Sequence, residues 1–375
     1  MDRRDFLKGT AAVGAAPIFG SIGARSLLGT AADESGRAGQ ETRLVVDGLD
    51  TSIVNAEFLG LLRQGGVDCM HKSMGDFPSY GDLYAFLEDH ADEATVATTV
   101  DEIWRAKADG RISFVLGTQS ANLLEQRLDK SPTGTYAPMV STMRAFYELG
   151  LRVHSICYNL TNIFGGGCLD HDVPLTRAGH RLVEEIHGLG MLLDVGGHTA
   201  ERTSLDAIEI SSGVPVVCTH TNVAALNANP RAVSDRLFEA LAGTGGVVGI
   251  TAISDFQKRN PDNYRSHGPR SPQATLDDHL DQYDYLKRLI GIDHIGLGPD
   301  FVWGWGEVFD HDPSVSIAFP SEALGEGIPQ LTKDFENISK LPNLVEGLRG
   351  RGWSEDELDK VLGGNWLRVY GRVWG

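Results

Sequence analysis

Side chains able to do acid/base or metal chemistry recur in this chain directly after short apolar runs. Asp47, Asp50 and Thr51 follow the run 44–46, Gly117-Thr118-Gln119 closes 112–116, and Tyr158-Asn159 follows 152–157. Asp194 and Gly196-Gly197-His198 close 191–195, Thr219-His220-Thr221-Asn222 closes 214–218, and Gly298-Pro299-Asp300 closes 294–297. An Asp and two His delivered from separate strands to one rim could hold a metal that polarises a carbonyl and activates water. Singly, His198 and His220 also read as hydrogen-bonded structural histidines, and Asp300 as a helix cap. Together they leave metal chemistry and metal-free polar catalysis both open. Gly196-Gly197 would let the backbone approach its neighbours closely.

The elements that must position these residues follow from the pattern. Apolar runs lie at 44–46, 66–70, 112–116, 152–157, 191–195, 214–218, 246–250 and 294–297. Helix-like periodicity fills 53–64, 82–108, 137–149, 176–189, 203–212, 233–243 and 276–290. Continuous apolar strands alternating with helices imply an α/β fold with a parallel sheet covered on both faces. Eight strands are what a (β/α)8 barrel needs, and such barrels collect their active sites at the C-terminal ends of the strands. An open doubly wound sheet is the alternative, weakened because no G-x-G-x-x-G follows the first strand. The segments 257–273 and 304–331 read as long loops, and 334–374 as helices, with Ser354 and Glu357 spaced as a capping box.

The whole chain has 375 residues, formal charge −18 and 41% hydrophobic residues. That is enough apolar material for a large core, and it excludes a mainly disordered chain. The acidic balance speaks against nucleic-acid binding, which needs a basic face. Arg3-Arg4-Asp5-Phe6-Leu7-Lys8 resembles a twin-arginine export signal. The Gly/Ala-rich run behind it is shorter than the roughly 20 apolar residues of a membrane span. The organisation expected is a signal over 1–32, cleaved after Ala24 or Ala32, and one domain over 33–375. The leader holds four basic and two acidic residues, so its removal takes the charge from −18 to −20. The export machinery is therefore an expected partner, and the compartment is periplasmic or extracellular. Cys69, Cys157, Cys168 and Cys218 are scattered and read as core thiols.

Longer stretches resemble the membrane dipeptidase family, also called renal dipeptidase or peptidase family M19, from about Leu44 to Trp374. Leu193-Asp194-Val195-Gly196-Gly197-His198-Thr199 looks like the family's D-L-S-H segment with an extra Gly. Cys218-Thr219-His220-Thr221-Asn222 looks like its S-H-S segment, and Asn229-Pro230-Arg231 like its H-P-R. The stretch 291–301 looks like G-I-D-H-V-G-I-G-S-D-F, and 337–344 and 362–368 match its C-terminal signature. The resemblance implies a (β/α)8 barrel of the metal-dependent hydrolase type, often dimeric, with a two-zinc centre that cleaves dipeptides. It makes His198 and His220 ligands of one zinc, Arg231 the binder of the substrate carboxylate, and Asp300 the acid beside the bridging water.

Other positions depart from the family. Its H-x-D zinc pair falls on Leu49 and Thr51, its bridging glutamate on Gln119, and its transition-state histidine on Tyr158. Leu cannot ligate, and neutral Gln cannot supply a bridging charge. The expectation is a reduced site, one zinc or none, held by His198 and His220 with Asp300 or Asp50 in support. Asp300, Tyr158 and His220 are the catalytic candidates, and Arg231, Gln119, Asn159 and Asn222 the substrate-binding ones. The substrate expected is a small carboxylate bearing an amide bond. Metal-free elimination, isomerisation or decarboxylation, or ligand binding without catalysis, are the alternatives. Asp170-His171-Asp172 and Asp310-His311-Asp312 could bring a ligand over the rim, although hydrated turns are the plainer reading. Trp303 and Trp305 read as packing residues near the rim.

Overall fold

The computed structural model describes residues 43–128, 135–170, 172–258, 272–305 and 329–374. Among the described residues nine strands run parallel: β1 (Val46–Asp50), β2 (Cys69–Ser73), β3 (Ala94–Val96), β4 (Ile112–Thr118) and β5 (Leu151–Ser155), then β6 (Leu192–Asp194), β7 (Val216–Thr221), β8 (Val248–Ile250) and β9 (Ile295–Leu297). Their order, β2-β1-β9-β8-β7-β6-β5-β4, closes because β2 also pairs with β4. The result is an eight-stranded parallel α/β barrel, and the open-sheet alternative falls.

Each of the eight expected strands overlaps one strand of the barrel. The ninth, β3, lies inside the stretch 82–108 that reads as one helix. That stretch is instead a helix over Phe77–Asp89, then β3, then a helix over Val100–Ala108. Three residues are too few to show an alternating pattern, so β3 has no signature of its own. It pairs with the first half of β4, Ala94 opposite Ile112.

Strand alternation feeds two cores. Val46, Cys69, Val115, Val153, Leu192 and Val217 pack inside the barrel with Trp366, Val369 and Tyr370 of the helix Asn365–Trp374. Met70, Phe114, Leu116, Leu193 and Val216 face outward onto Phe58, Leu62, Ile186 and Leu280 of the covering helices. The Trp366 indole donates to the Leu297 carbonyl at 2.9 Å. A Cβ at Gly48 or Gly296 would come within 2.3–2.4 Å of that ring, so both positions need glycine.

The Ser354–Glu357 capping box forms. All four cysteines are buried free thiols. Among the described residues no helix is long and apolar enough to cross a membrane. The signal segment, His171, Asp310-His311-Asp312 and most of both long loops lie outside the described residues. Asp170 accepts the Thr161 N–H at 2.5 Å and Asp172 is exposed 3.7 Å from Arg202, which suits a polar turn.

Candidate active site

Two β-bulges decide which residues enter the barrel mouth. In β7, Cys218 pairs with Val248 and Thr221 with Ile250, so three steps oppose two. Val217 faces the interior, Thr219 follows it by alternation, and the extra residue turns His220 inward too. In β1, Asp47 pairs with Met70 and Asp50 with Lys72. The buried Asp47 and Asp50 carboxyls come within hydrogen-bonding reach of each other, and Asp50 also acts electrostatically on Asp300 at the rim.

His198 organises the rim. Its Nδ1 donates to Oδ1 of Asn159 at 2.7 Å, and Tyr158 stacks on the ring at a 4.0 Å centroid distance. Its Nε2 lies 3.1 Å from Nη2 of Arg231 and 2.8 Å from Oε1 of Gln119, whose amide nitrogen lies 3.0 Å from Ser73 Oγ. An amide oxygen faces each ring nitrogen, but the Arg231 N–H can only donate, so Nε2 accepts, the single proton of the neutral ring sits on Nδ1, and the Gln119 amide turns its NH2 to Nε2. Asn159 thus orients His198, and Gln119 is engaged at both ends.

His220 is set up by a relay. Its ring lies 4.9 Å from that of His198. Nδ1 is 2.9 Å from Thr219 Oγ1, which donates to Asp194 Oδ2 at 2.9 Å. Asp194 also accepts from Ser155 Oγ at 2.7 Å and the Thr219 N–H at 2.9 Å. Nδ1 therefore carries the hydrogen, and the buried Nε2 is left without a partner, 4.0 Å from Asp300 Oδ2. Burial first, then Arg231 and His71, push His220 well below its ordinary value, so it is neutral.

Burial, with help from Asp50, lifts the Asp300 carboxyl to about 7 against the opposing pull of Arg231. A carboxyl that titrates near neutrality is suited to taking and returning a proton. Asp300 has φ 58° and Asn159 φ 60°, left-handed conformations that are uncommon outside glycine. Such strain gathers where side chains are held for function. Burial keeps the Tyr158 phenol protonated.

Arg231 is 2% exposed, with its guanidinium 5.2 Å over the Phe256 ring. Its Nη1 is buried without a partner. A Cβ at Gly197, where φ is 56°, would come 2.5 Å from that Nη1. Asn222 donates to the Thr251 carbonyl at 3.2 Å and leaves its own Oδ1 unpartnered. Trp305 donates its indole N–H to Thr51 O at 2.8 Å, and Trp303 packs on the core.

Phe256 and His71 belong to this site without being among the expected residues, and Asp194 reads in the sequence only as a polar residue at a strand end, with no role in the site. His71 follows the apolar run that ends at Met70, the strand-end signal used elsewhere. Its Nδ1 lies 2.7 Å from Gly48 O, and burial drops its pKa to about 4. A Cβ at Gly117 would be 1.8 Å from its Nε2.

A closed parallel α/β barrel thus carries Asp, Arg and two His at its C-terminal rim, where such barrels collect their active sites. The chain belongs to the membrane dipeptidase family (Peptidase family M19), whose model matches residues 79–314 and 316–374. Residues 1–20 match the twin-arginine translocation signal, which supports export across a membrane. An uncharacterised Klebsiella pneumoniae protein from the pqqA 5′ region is 32% identical over 62% of this chain and 76% of its own. The dipeptidase TcpJ of Claviceps purpurea is 25% identical over 81% of this chain, which spans 61% of TcpJ. A crystal structure of an amidohydrolase from Pseudomonas aeruginosa aligns with TM-score 0.77 and 26% identity, covering 90% of this chain and 99% of that one.

The family is generally zinc-dependent, and this donor set does not fit its centre. Leu49, Thr51 and Gln119 replace ligand types, and the His198 lone pair that a metal needs faces a guanidinium. Among the described residues no group of three or more His, Cys, Asp or Glu is placed to hold a metal ion. The His198 and His220 rings stand 4.9 Å apart, but among the described residues no third His, Cys, Asp or Glu completes a metal site with them.

Proposed function

We infer that this exported family member hydrolyses an amide bond in a small, dipeptide-sized carboxylate substrate, acting in the periplasm. Its own side chains carry the chemistry. One observation supports this most: the buried, unpartnered Nη1 of Arg231 stands beside an Asp300 that titrates near 7.

The substrate carboxylate takes Nη1 of Arg231 in a charge-assisted hydrogen bond. Water between Asp300 and Nε2 of His220 gives a proton to Asp300 as its oxygen attacks the carbonyl carbon. The Tyr158 O–H donates to the oxyanion. As the C–N bond breaks, Asp300 returns the proton to the leaving nitrogen. Asn159 and the Thr219–Asp194 relay act through the two histidines as positioning groups.

The test is a mass-spectrometric screen of dipeptides and N-acyl amino acids, each beside its C-terminally amidated twin, in 18O-water. Hydrolysis puts one 18O into the product, and amidation abolishes turnover. Equal turnover of the amidated twins sinks the Arg231 anchor. Product without 18O sinks hydrolysis and leaves elimination or isomerisation by the same groups.

A further inference from the structure

We propose that Arg231 takes the electrostatic place of the family's metal, making the site metal-independent by closing the His198 lone pair with a permanent cation. The inference uses the site described above but does not depend on the reaction assigned to it.

Three features of the chain converge on this. First, the His198 tautomer is set by Arg231: amide oxygens lie 2.7 Å from Nδ1 (Asn159) and 2.8 Å from Nε2 (Gln119), but the guanidinium can only donate, so Nε2 accepts, the single ring proton sits on Nδ1, and the Gln119 amide turns its NH2 to Nε2. The Nε2 lone pair, the atom a metal would take, instead meets Arg231 Nη2 at 3.1 Å. Second, the guanidinium is held there. It is buried, lies over Phe256, and passes Gly197 so closely that a Cβ would stand 2.5 Å from Nη1 and 2.8 Å from the His220 carbonyl. Gly197 is the extra glycine of the segment before His198, and its left-handed φ admits no ordinary side chain without strain. Third, the changes at Leu49, Thr51 and Gln119 remove groups that would otherwise reward a cation. An arginine cannot lose its proton at any relevant pH. It therefore repels a divalent ion permanently, where a histidine or lysine would yield.

Removing the charge should reopen the site. With Arg231→Met, Nε2 of His198, Nε2 of His220 and Asp300 are left with no cation among them. The test titrates cobalt(II) and zinc(II) into the metal-stripped full chain, followed by visible absorption and calorimetry. The wild type is expected to give no ligand-field band. Arg231→Met is expected to bind one equivalent at least about 100-fold more tightly, a conservative figure for lifting a nearby positive charge. The double variant Arg231→Met/His198→Ala should lose that band. If Arg231→Met does not fold, Arg231→Gln removes the charge and keeps a donor, and it too should admit cobalt. Wild-type protein that binds zinc as tightly as the variant overturns the proposal, as does a folded Arg231 variant blind to both metals. Carboxylate affinity is read separately, so wild-type zinc binding with an intact carboxylate anchor sinks this inference alone.

Discussion

Asp300→Asn offers the sharpest test of the site's electrostatics. The carboxyl moves from an ordinary value of 3.8 to about 7 on folding, chiefly because it is buried. A group whose folded value is raised leaves the fold undisturbed below its unfolded value, where both states hold the proton. Stability then falls as pH rises, by about 1.4 kcal/mol per pH unit, until the folded carboxyl ionises near 7. Ionised Asp300 thus costs the fold about 4 kcal/mol at pH 8. Asparagine has the same shape, tolerates the left-handed φ of 58° and carries no charge to bury. The variant should match the wild type near pH 4, gain over it between pH 4 and 7, and hold a level advantage above. Its turnover should be lost at every pH. Denaturant midpoints at pH 4.5, 6 and 8 measure this directly. A stability difference that does not change with pH refutes the burial argument. A variant less stable than wild type at pH 8 refutes it more pointedly, because the carboxylate would then be held ionised by a bound cation.

Other substitutions probe the frame around that carboxyl. Gly197→Ala should cost roughly 1–3 kcal/mol from its left-handed φ and displace the guanidinium, read as a lower melting temperature together with weakened binding of a carboxylate ligand. Asp194→Ala strands donors on Ser155 and Thr219 and should cost about 3 kcal/mol in urea unfolding; Asp194→Asn, which keeps one acceptor, should cost less. Trp366→Ala empties the inside of the barrel far from the rim and should cost roughly 3–5 kcal/mol, with the folded fraction keeping its carboxylate affinity. A Trp366 variant as stable as wild type would contradict the packing described for the barrel interior.

How far the sequence reaches is set by the range of each interaction. Parallel strands buried on both faces are written as continuous apolar runs, so the eight barrel strands and the polar residues at their ends are legible. β3 is too short to be written at all. His71 obeys the strand-end rule but sits one residue beyond a run that stops at Met70, because a histidine inside a barrel looks like any other polar residue. The bulges are a different matter. One extra residue in β1 brings Asp50 beside Asp47, and one in β7 turns His220 inward, yet neither changes composition or period in a way a reader of residues can detect. The contact that settles the character of the site, Arg231 on His198, spans 33 residues and is purely tertiary. Its one local mark is Gly196-Gly197. Read as sequence, the extra glycine is a small shift in the position of a ligand. In the fold it is the opening through which a guanidinium reaches the lone pair that a metal would need. The residue that looks least able to do chemistry therefore decides which chemistry His198 can do.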